Sequence, residues 1–238
     1  MGSFVIAGLI FLVAGFVQGI TGFGAGLVAI PLLCLIIDVK TAVPLVILNG
    51  VIITSYLAYT LRSFLDSKKI LPLLVGSIPG VLLGSQCLTL VNPDLIRTFL
   101  GILLIAYSVY NLAAHPKPVK MPLFIGYAAG FCTGFITALL SAGGPPAIIY
   151  TTLTDWKKNE IKATLTGFFV FNAVFTMIVH ALSGMTTLLT LKYCTVTMPL
   201  VLLGTAIGSR LTDKINRRAY LICIYVFLLM MGALMVWG

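Results

Sequence analysis

The strongest constraint on this chain is a succession of apolar runs separated only by short polar joints. The runs fall at 4–19, 22–37, 42–61, 70–90, 95–114, 123–140, 144–153, 161–182, 193–209 and 219–237. A helix needs about 20 apolar residues to cross the hydrocarbon of a bilayer. Within lipid every backbone N–H and C=O must be paired inside the protein, and helices achieve this for runs of such length. The chain therefore reads as an all-α polytopic membrane protein with about 8–10 membrane segments. No polar stretch is long enough to form a separate soluble domain.

Composition agrees and removes two other readings. Of the 238 residues, 60% are hydrophobic and 9% charged, with a mean hydropathy of +1.12. The formal charge of +9 invites a nucleic-acid partner. The basic residues, however, sit in the joints "RSFLDSKK", "HPKPVK", "DWKKNEIK" and "RLTDKINRR". That is how topology-setting loops are placed, and a basic binding face is not. No basic residue precedes the first apolar run, so a cleaved signal peptide is not expected. Cys34, Cys87, Cys132, Cys194 and Cys223 lie in or beside apolar runs without any C-x-x-C spacing. They read as small hydrophobes, and neither a metal site nor a cofactor is expected.

Two of the runs carry glycine where a helix wants none. "GFVQGITGFGAGLVAIP" covers 15–31 and "GFCTGFITALLSAGGPP" covers 130–146, although glycine is the poorest helix former after proline. Other stretches pair as well. Asn49 in "VILNGVIIT" matches Asn172 in "FVFNAVFTM", "GVLLGSQ" at 80–86 matches "GTAIGSR" at 204–210, and at that offset Asn92 falls on Asn216. The chain thus reads as a duplication, with a first repeat at 1–114, a basic connecting loop at 115–121 and a second repeat at 122–238.

Charge placement orients the two repeats. If each Gly-rich pair of arms enters and leaves on one face, one side holds Arg62, Lys68, Lys69, Lys117, Lys120, Lys157, Lys158, Lys162, Arg210, Lys214, Arg217 and Arg218. Only Lys40, Arg97 and Lys192 then lie opposite. Counting each pair as a single crossing gives a much poorer asymmetry, so the positive-inside rule selects the first arrangement. It makes the repeats inverted, each starting with a Gly-broken helical hairpin, and puts both termini on the outer side. Run 144–153 is too short to span and reads as a half-helix.

Inverted repeats with broken first helices are the signature of secondary transporters. Thr21 is placed to cap a helix starting at Gly22, and Ser141 to cap one with Pro145 and Pro146 in its first turn. Helix starts offer free N–H groups and a partial positive charge, so two of them converging would bind an anion without a charged side chain. The alternative for these glycines is close helix packing. Packing is the preferred reading for Gly76, Gly80, Gly84, Gly204 and Gly208, at four-residue spacing. Asp38, Asp66, Asp94, Asp155, Glu160 and Asp213 all lie in or beside joints. A cation site would want a carboxylate inside the membrane. Gln18 and Thr133, just before the two breaks, are candidate donors to an oxyanion. Asn49 and Asn172 are either donors or interhelical glue. His180 near a span end reads as an interfacial residue, and Arg210 as one that snorkels. A Ser141–His180 dyad lacks the glycine of a nucleophile elbow, since Leu139 stands there, so no enzyme activity is expected.

At these residues the chain resembles the sulfite exporter TauE/SafE family, also called the 4-toluene sulfonate uptake permeases. The resemblance rests on the run at 15–31, the "GGPP" run opening the second half, and the "GVLLGSQ" and "GTAIGSR" pair. It implies a carrier in the cytoplasmic (inner) membrane for small sulfur-containing anions such as sulfite, thiosulfate or an organosulfonate. By position it marks Gln18, Thr21, Gly22, Gly24 and Gly26, then Ser141, Gly143, Gly144 and Pro145, with Ala142 standing where another glycine is expected. An anion channel of the same architecture is the first alternative, and an intramembrane serine hydrolase a distant one.

Overall fold

The structure, a computed structural model, describes residues 2–87, 93–114, 121–140 and 144–237. Among them the chain forms α1 (Gly2–Thr21), α2 (Ala25–Leu33), α3 (Val39–Thr60), a 3₁₀ turn at Arg62–Phe64, α4 (Ser67–Cys87), α5 (Pro93–Ala114), α6 (Leu123–Leu140), α7 (Gly144–Leu153), α8 (Lys158–Leu182), α9 (Leu188–Asp213) and α10 (Arg217–Trp237). Six of these helices are long and apolar enough to cross a membrane: those holding Gly2–Thr21, Thr41–Thr60, Ser67–Gly84, Lys158–Leu182, Leu188–Thr212 and Arg217–Leu234. At nine and ten residues, α2 and α7 rise only about 14 and 15 Å, half a bilayer core.

Small residues decide which helices touch. In lipid no hydrophobic force drives helices together, so close backbone approach and van der Waals contact must do it. α1 lies beside α9 and runs in the same direction. A methyl on Gly15 would land on the Val201 carbonyl oxygen, one on Gly208 on that of Phe16, and Gly19 is packed against Thr205 and Gly208. α6 lies beside α4 in the same way, with Gly130 on the Leu73 carbonyl, Gly134 on that of Ser77 and Gly80 on that of Phe131. α3 packs on α8, and α5 on α10. Each of these four pairs joins the first half of the chain to the second, so the halves interlock.

These contacts correct the register read from the sequence. Gly76 meets Tyr127 as Gly204 meets Leu12, and Gly80 meets Phe131 as Gly208 meets Phe16. The structural counterpart of Gly80 is therefore Gly208, one helical turn beyond Gly204. Glycines every four residues look alike when slid by one turn, and the sequence pattern alone cannot distinguish the two alignments. The matches of Gln86 with Arg210 and of Asn92 with Asn216 rest on the Gln86 side chain and on Asn92, which lie outside the described residues.

One end of the bundle gathers several polar joints. Lys69 Nζ lies 3.3 Å from Glu160 Oε1. Arg217 donates from Nε to the Trp156 carbonyl at 2.9 Å and from Nη2 to that of Thr154 at 3.1 Å. Lys158 Nζ donates to the carbonyls of Thr212 and Ile215 at 2.8 and 2.7 Å. The opposite end holds the starts of α1 and α9, where Phe4 stacks on Tyr193 at 4.0 Å. Around the outside stand large apolar side chains such as Leu35, Leu182 and Leu188, at 80, 84 and 70% exposure. An apolar surface of that extent belongs against lipid.

Candidate functional site

The break in the first Gly-rich run is built by backbone that only glycine adopts easily. Gly22 and Gly24 have φ of +88° and +94°, the left-handed region that costs a side chain energy. The Gly22 N–H still closes the last turn of α1 on the Gln18 carbonyl at 2.7 Å, and α2 starts only at Ala25, with Gly24 in the capping position. Thr21 is therefore no N-cap. Its hydroxyl turns back to the Val17 and Phe23 carbonyls at 2.9 and 2.7 Å and meets the Phe23 N–H at 3.3 Å. A threonine in a last turn satisfies the carbonyl four residues earlier as readily as it caps a new helix.

A helix that stops inside a membrane leaves its final carbonyls without partners. Lys162 Nζ, on a residue only 2% exposed, donates to the Gly19 carbonyl at 2.6 Å and to Thr212 Oγ1 at 3.1 Å. The Thr212 hydroxyl reaches the Ile20 carbonyl at 2.9 Å, and the Tyr220 hydroxyl donates to that of Thr21. A cation at a helix C-terminus also opposes the negative end of its dipole. Lys162 was counted from the sequence as a joint residue. The signal for its burial is indirect: carbonyls freed at the break need a strong donor.

The two short helices start alike. The Ala25 N–H donates to Gln18 Oε1 at 3.1 Å, and the Ala147 N–H to Thr133 Oγ1 at 3.1 Å. Gln18 and Thr133 thus reach across the breaks and hold the first turns of α2 and α7. Both starts open on one cavity of about 90 Å³, lined by Gln18, Phe23, Gly24, Ala25, Gly26 and Leu27, by Val46, Ile47, Gly50 and Thr54 of α3, and by Thr137, Gly144, Phe169, Asn172 and Ala173. One water needs about 10–15 Å³ on this measure, so a compact ion of a few heavy atoms fits.

Of the residues singled out from the sequence, the structure brings Gln18, Gly24, Gly26, Gly144 and Asn172 into that wall. Thr21, Gly22, Thr133 and Pro145 lie behind it as parts of the breaks. Asn49 is elsewhere: its amide exchanges hydrogen bonds with Thr197 Oγ1 of α9, at 2.9 and 3.2 Å, and donates to the Leu45 carbonyl at 3.0 Å. It is interhelical glue. Ser141 and Gly143 lie outside the described residues. His180 lies two residues before the end of α8, near the span end as expected, and is 2% exposed, buried against the rest of the protein. Gly50, Phe169 and Ala173 escaped notice, since a lone glycine or an apolar residue in a span carries no separate signal.

Among the described residues no charged side chain lines the cavity, so the field they give it comes from the helix ends, each worth roughly half a positive charge. The two ends are unequal in donors. Pro145 and Pro146 have no N–H, and that of Ala147 is taken by Thr133. In α2 the Ala25 N–H is taken by Gln18, but helix geometry gives those of Gly26 and Leu27 no acceptor one turn back. The wall suits a small anion, with the direct hydrogen bonds coming mainly from α2.

The family model described as Sulfite exporter TauE/SafE matches residues 7–235. The chain is 22% identical over 272 residues to the probable membrane transporter protein YunE of Bacillus subtilis (strain 168), covering 99% of this chain and 98% of that protein. No solved structure matches it.

Proposed function

The chain belongs to the sulfite exporter TauE/SafE family, matched from 7 to 235, and from that premise we propose that it is a secondary carrier for a small sulfur-containing anion such as sulfite, thiosulfate or an organosulfonate. The observation that carries this reading is the meeting of two half-length helices, by their N-terminal ends, in one cavity where no charged side chain stands among the described lining residues. Such ends attract anions, and a site without a formal counter-charge holds its ion loosely enough to release it. The family model's name supplies the sulfur.

The reading includes an inverted relation between 1–114 and 122–238. It is supported by the directions of the helices, since α1 runs along α9 and α6 along α4 while α4 and α9 start at opposite ends. The end where Lys69, Lys158 and Arg217 gather is the cytoplasmic one in this reading, which puts the termini outside the cytoplasmic membrane. Single cysteines at Ser63 and Trp156 are then both expected to react with an impermeant maleimide only in inside-out vesicles. Labelling from opposite sides would return the parallel arrangement.

The function itself is tested by uptake of ³⁵S-sulfite and ³⁵S-thiosulfate into proteoliposomes. Saturable uptake with counterflow exchange is expected. Uptake that does not saturate and shows no counterflow would mark an anion channel. Absence of uptake of either anion, with folded protein in the vesicles, would remove the sulfur-anion substrate.

A further inference from the structure

Gln18 has a hydrogen-bonding branch to spare. Its Oε1 accepts the Ala25 N–H at 3.1 Å, and that bond fixes the amide, since turning it over would set two donors against each other. The open branch is therefore Nε2, with its two N–H groups. It has no acceptor among the described residues, although Gln18 is only 5% exposed. The polar atoms that are both partnerless and sealed from any space are Ser108 Oγ, Thr164 Oγ1, Asn172 Oδ1 and His180 Nδ1. Gln18 Nε2 is not one of them, and the space that Gln18 borders is the cavity.

The other polar groups near it are already engaged. Asn172, the second amide of the wall, donates from Nδ2 to Thr137 Oγ1 at 3.2 Å. At the other break Thr133 has a single hydroxyl, which accepts the Ala147 N–H at 3.1 Å. An amide donor left unanswered in a largely apolar wall calls for an acceptor. Resting on the anion-carrier reading above, we propose that Gln18 grips the ligand: its Nε2 donates to one oxygen of the bound oxyanion while its Oε1 holds the first turn of α2. The N–H groups of Gly26 and Leu27 in that turn answer the remaining oxygens. One side chain thus ties the ligand to the break, and being neutral it does so without a counter-charge that would hinder release.

The test is equilibrium binding of ³⁵S-sulfite to the purified full-length protein, with Gln18→Glu and Gln18→Met beside wild type. Gln18→Glu keeps an oxygen for the Ala25 N–H and replaces the amide donor by a second oxygen. With the introduced carboxyl ionised, affinity is expected to fall more than a hundredfold at wild-type Tm. As pH falls and that carboxyl gains a proton it becomes a donor, so the deficit against wild type at the same pH narrows. Gln18→Met loses both bonds: affinity falls by about ten- to a hundredfold, and Tm falls with it. A residue that only held α2 would give a Gln18→Glu protein without any deficit, whatever the pH. Wild type supplies a second readout, because Gln18 and Gln86 are the two glutamines of the chain. With glutamine side chains labelled with ¹⁵N, one of the two NH₂ signals is expected to shift as sulfite is added, and it is the one that remains in Gln86→Met. Wild-type affinity in a folded Gln18→Glu protein, or a Gln18 signal unmoved by bound sulfite, overturns this inference and leaves the anion carrier standing. Absence of sulfite and thiosulfate binding by wild type overturns both.

Discussion

Gly80→Val and Gly208→Val are each expected to prevent the protein from assembling. The two residues occupy equivalent places in the seams α4–α6 and α1–α9. A Cβ on Gly80 would land on the carbonyl oxygen of Phe131, with the Phe135 nitrogen 3.0 Å away; one on Gly208 would land on the carbonyl oxygen of Phe16, with the Ile20 nitrogen at 3.1 Å. The obstructing atoms are backbone inside a facing helix, so no rotamer change relieves the clash, and the helices must separate. Overpacking a core usually costs about 1–3 kcal/mol. Prising apart two helices along a seam repeated at Gly76, Gly80 and Gly84 costs more, because each close contact in the seam is weakened together. Against a typical stability of about 5–15 kcal/mol, and with no hydrophobic force between helices in lipid, the native arrangement is expected to be lost. Size-exclusion chromatography in mild detergent checks this: aggregated or absent protein is expected for both variants, and a wild-type profile with unchanged Tm for either would refute the seam as described. Gly2→Val, where a Cβ meets nothing within 4 Å, is the matching control.

These seams also show how far the sequence can be read. Four-residue glycine spacing announces close packing, and the packing is there, yet the same spacing hides the register. Only the facing carbonyls of Phe16 and Phe131 show which glycines correspond. The breaks were legible for a similar reason, since glycine in an apolar run needs a cause. Their internal wiring was not. The Thr21 hydroxyl has two local solutions of similar energy, and the choice depends on the positive φ at Gly22 and Gly24. Lys162 looks like any joint lysine until the carbonyls of Gly19 and Thr21 are known to end inside the bundle. Asn49 and Asn172 are indistinguishable in sequence, and their separation into glue and cavity wall follows from what α9 and α6 place opposite them. Thr197 answers both branches of one amide, while Thr137, its proton already committed, answers a single branch of the other.

Gly50→Leu is expected to abolish anion binding while leaving the fold intact. Most glycines near the breaks cannot make this separation. At Gly24 a side chain meets both a φ of +94° and the Phe227 ring at 2.6 Å, so Gly24→Val confounds strain with occlusion. At Gly144 a Cβ sits 3.2 Å from Ile148 Cδ1, and the end of α7 is disturbed with it. Gly50 differs: it lies inside α3, lines the cavity, and a Cβ there meets nothing within 4 Å. Replacing a mid-helix glycine also removes its backbone-entropy penalty, about 1 kcal/mol relative to Ala, so Gly50→Ala is expected to raise Tm slightly and to reduce affinity only in part. The four-carbon side chain of Leu projects from the cavity wall and is expected to crowd an oxyanion out of the space between the starts of α2 and α7. A loss of more than about a hundredfold in affinity, about 2.7 kcal/mol, is expected at unchanged or higher Tm. Equilibrium binding and thermal unfolding on the same preparation separate the two quantities. Wild-type affinity in a folded Gly50→Leu protein would place the anion site somewhere other than this cavity. Loss of binding together with loss of Tm would mean instead that the space beside Gly50 is needed for packing.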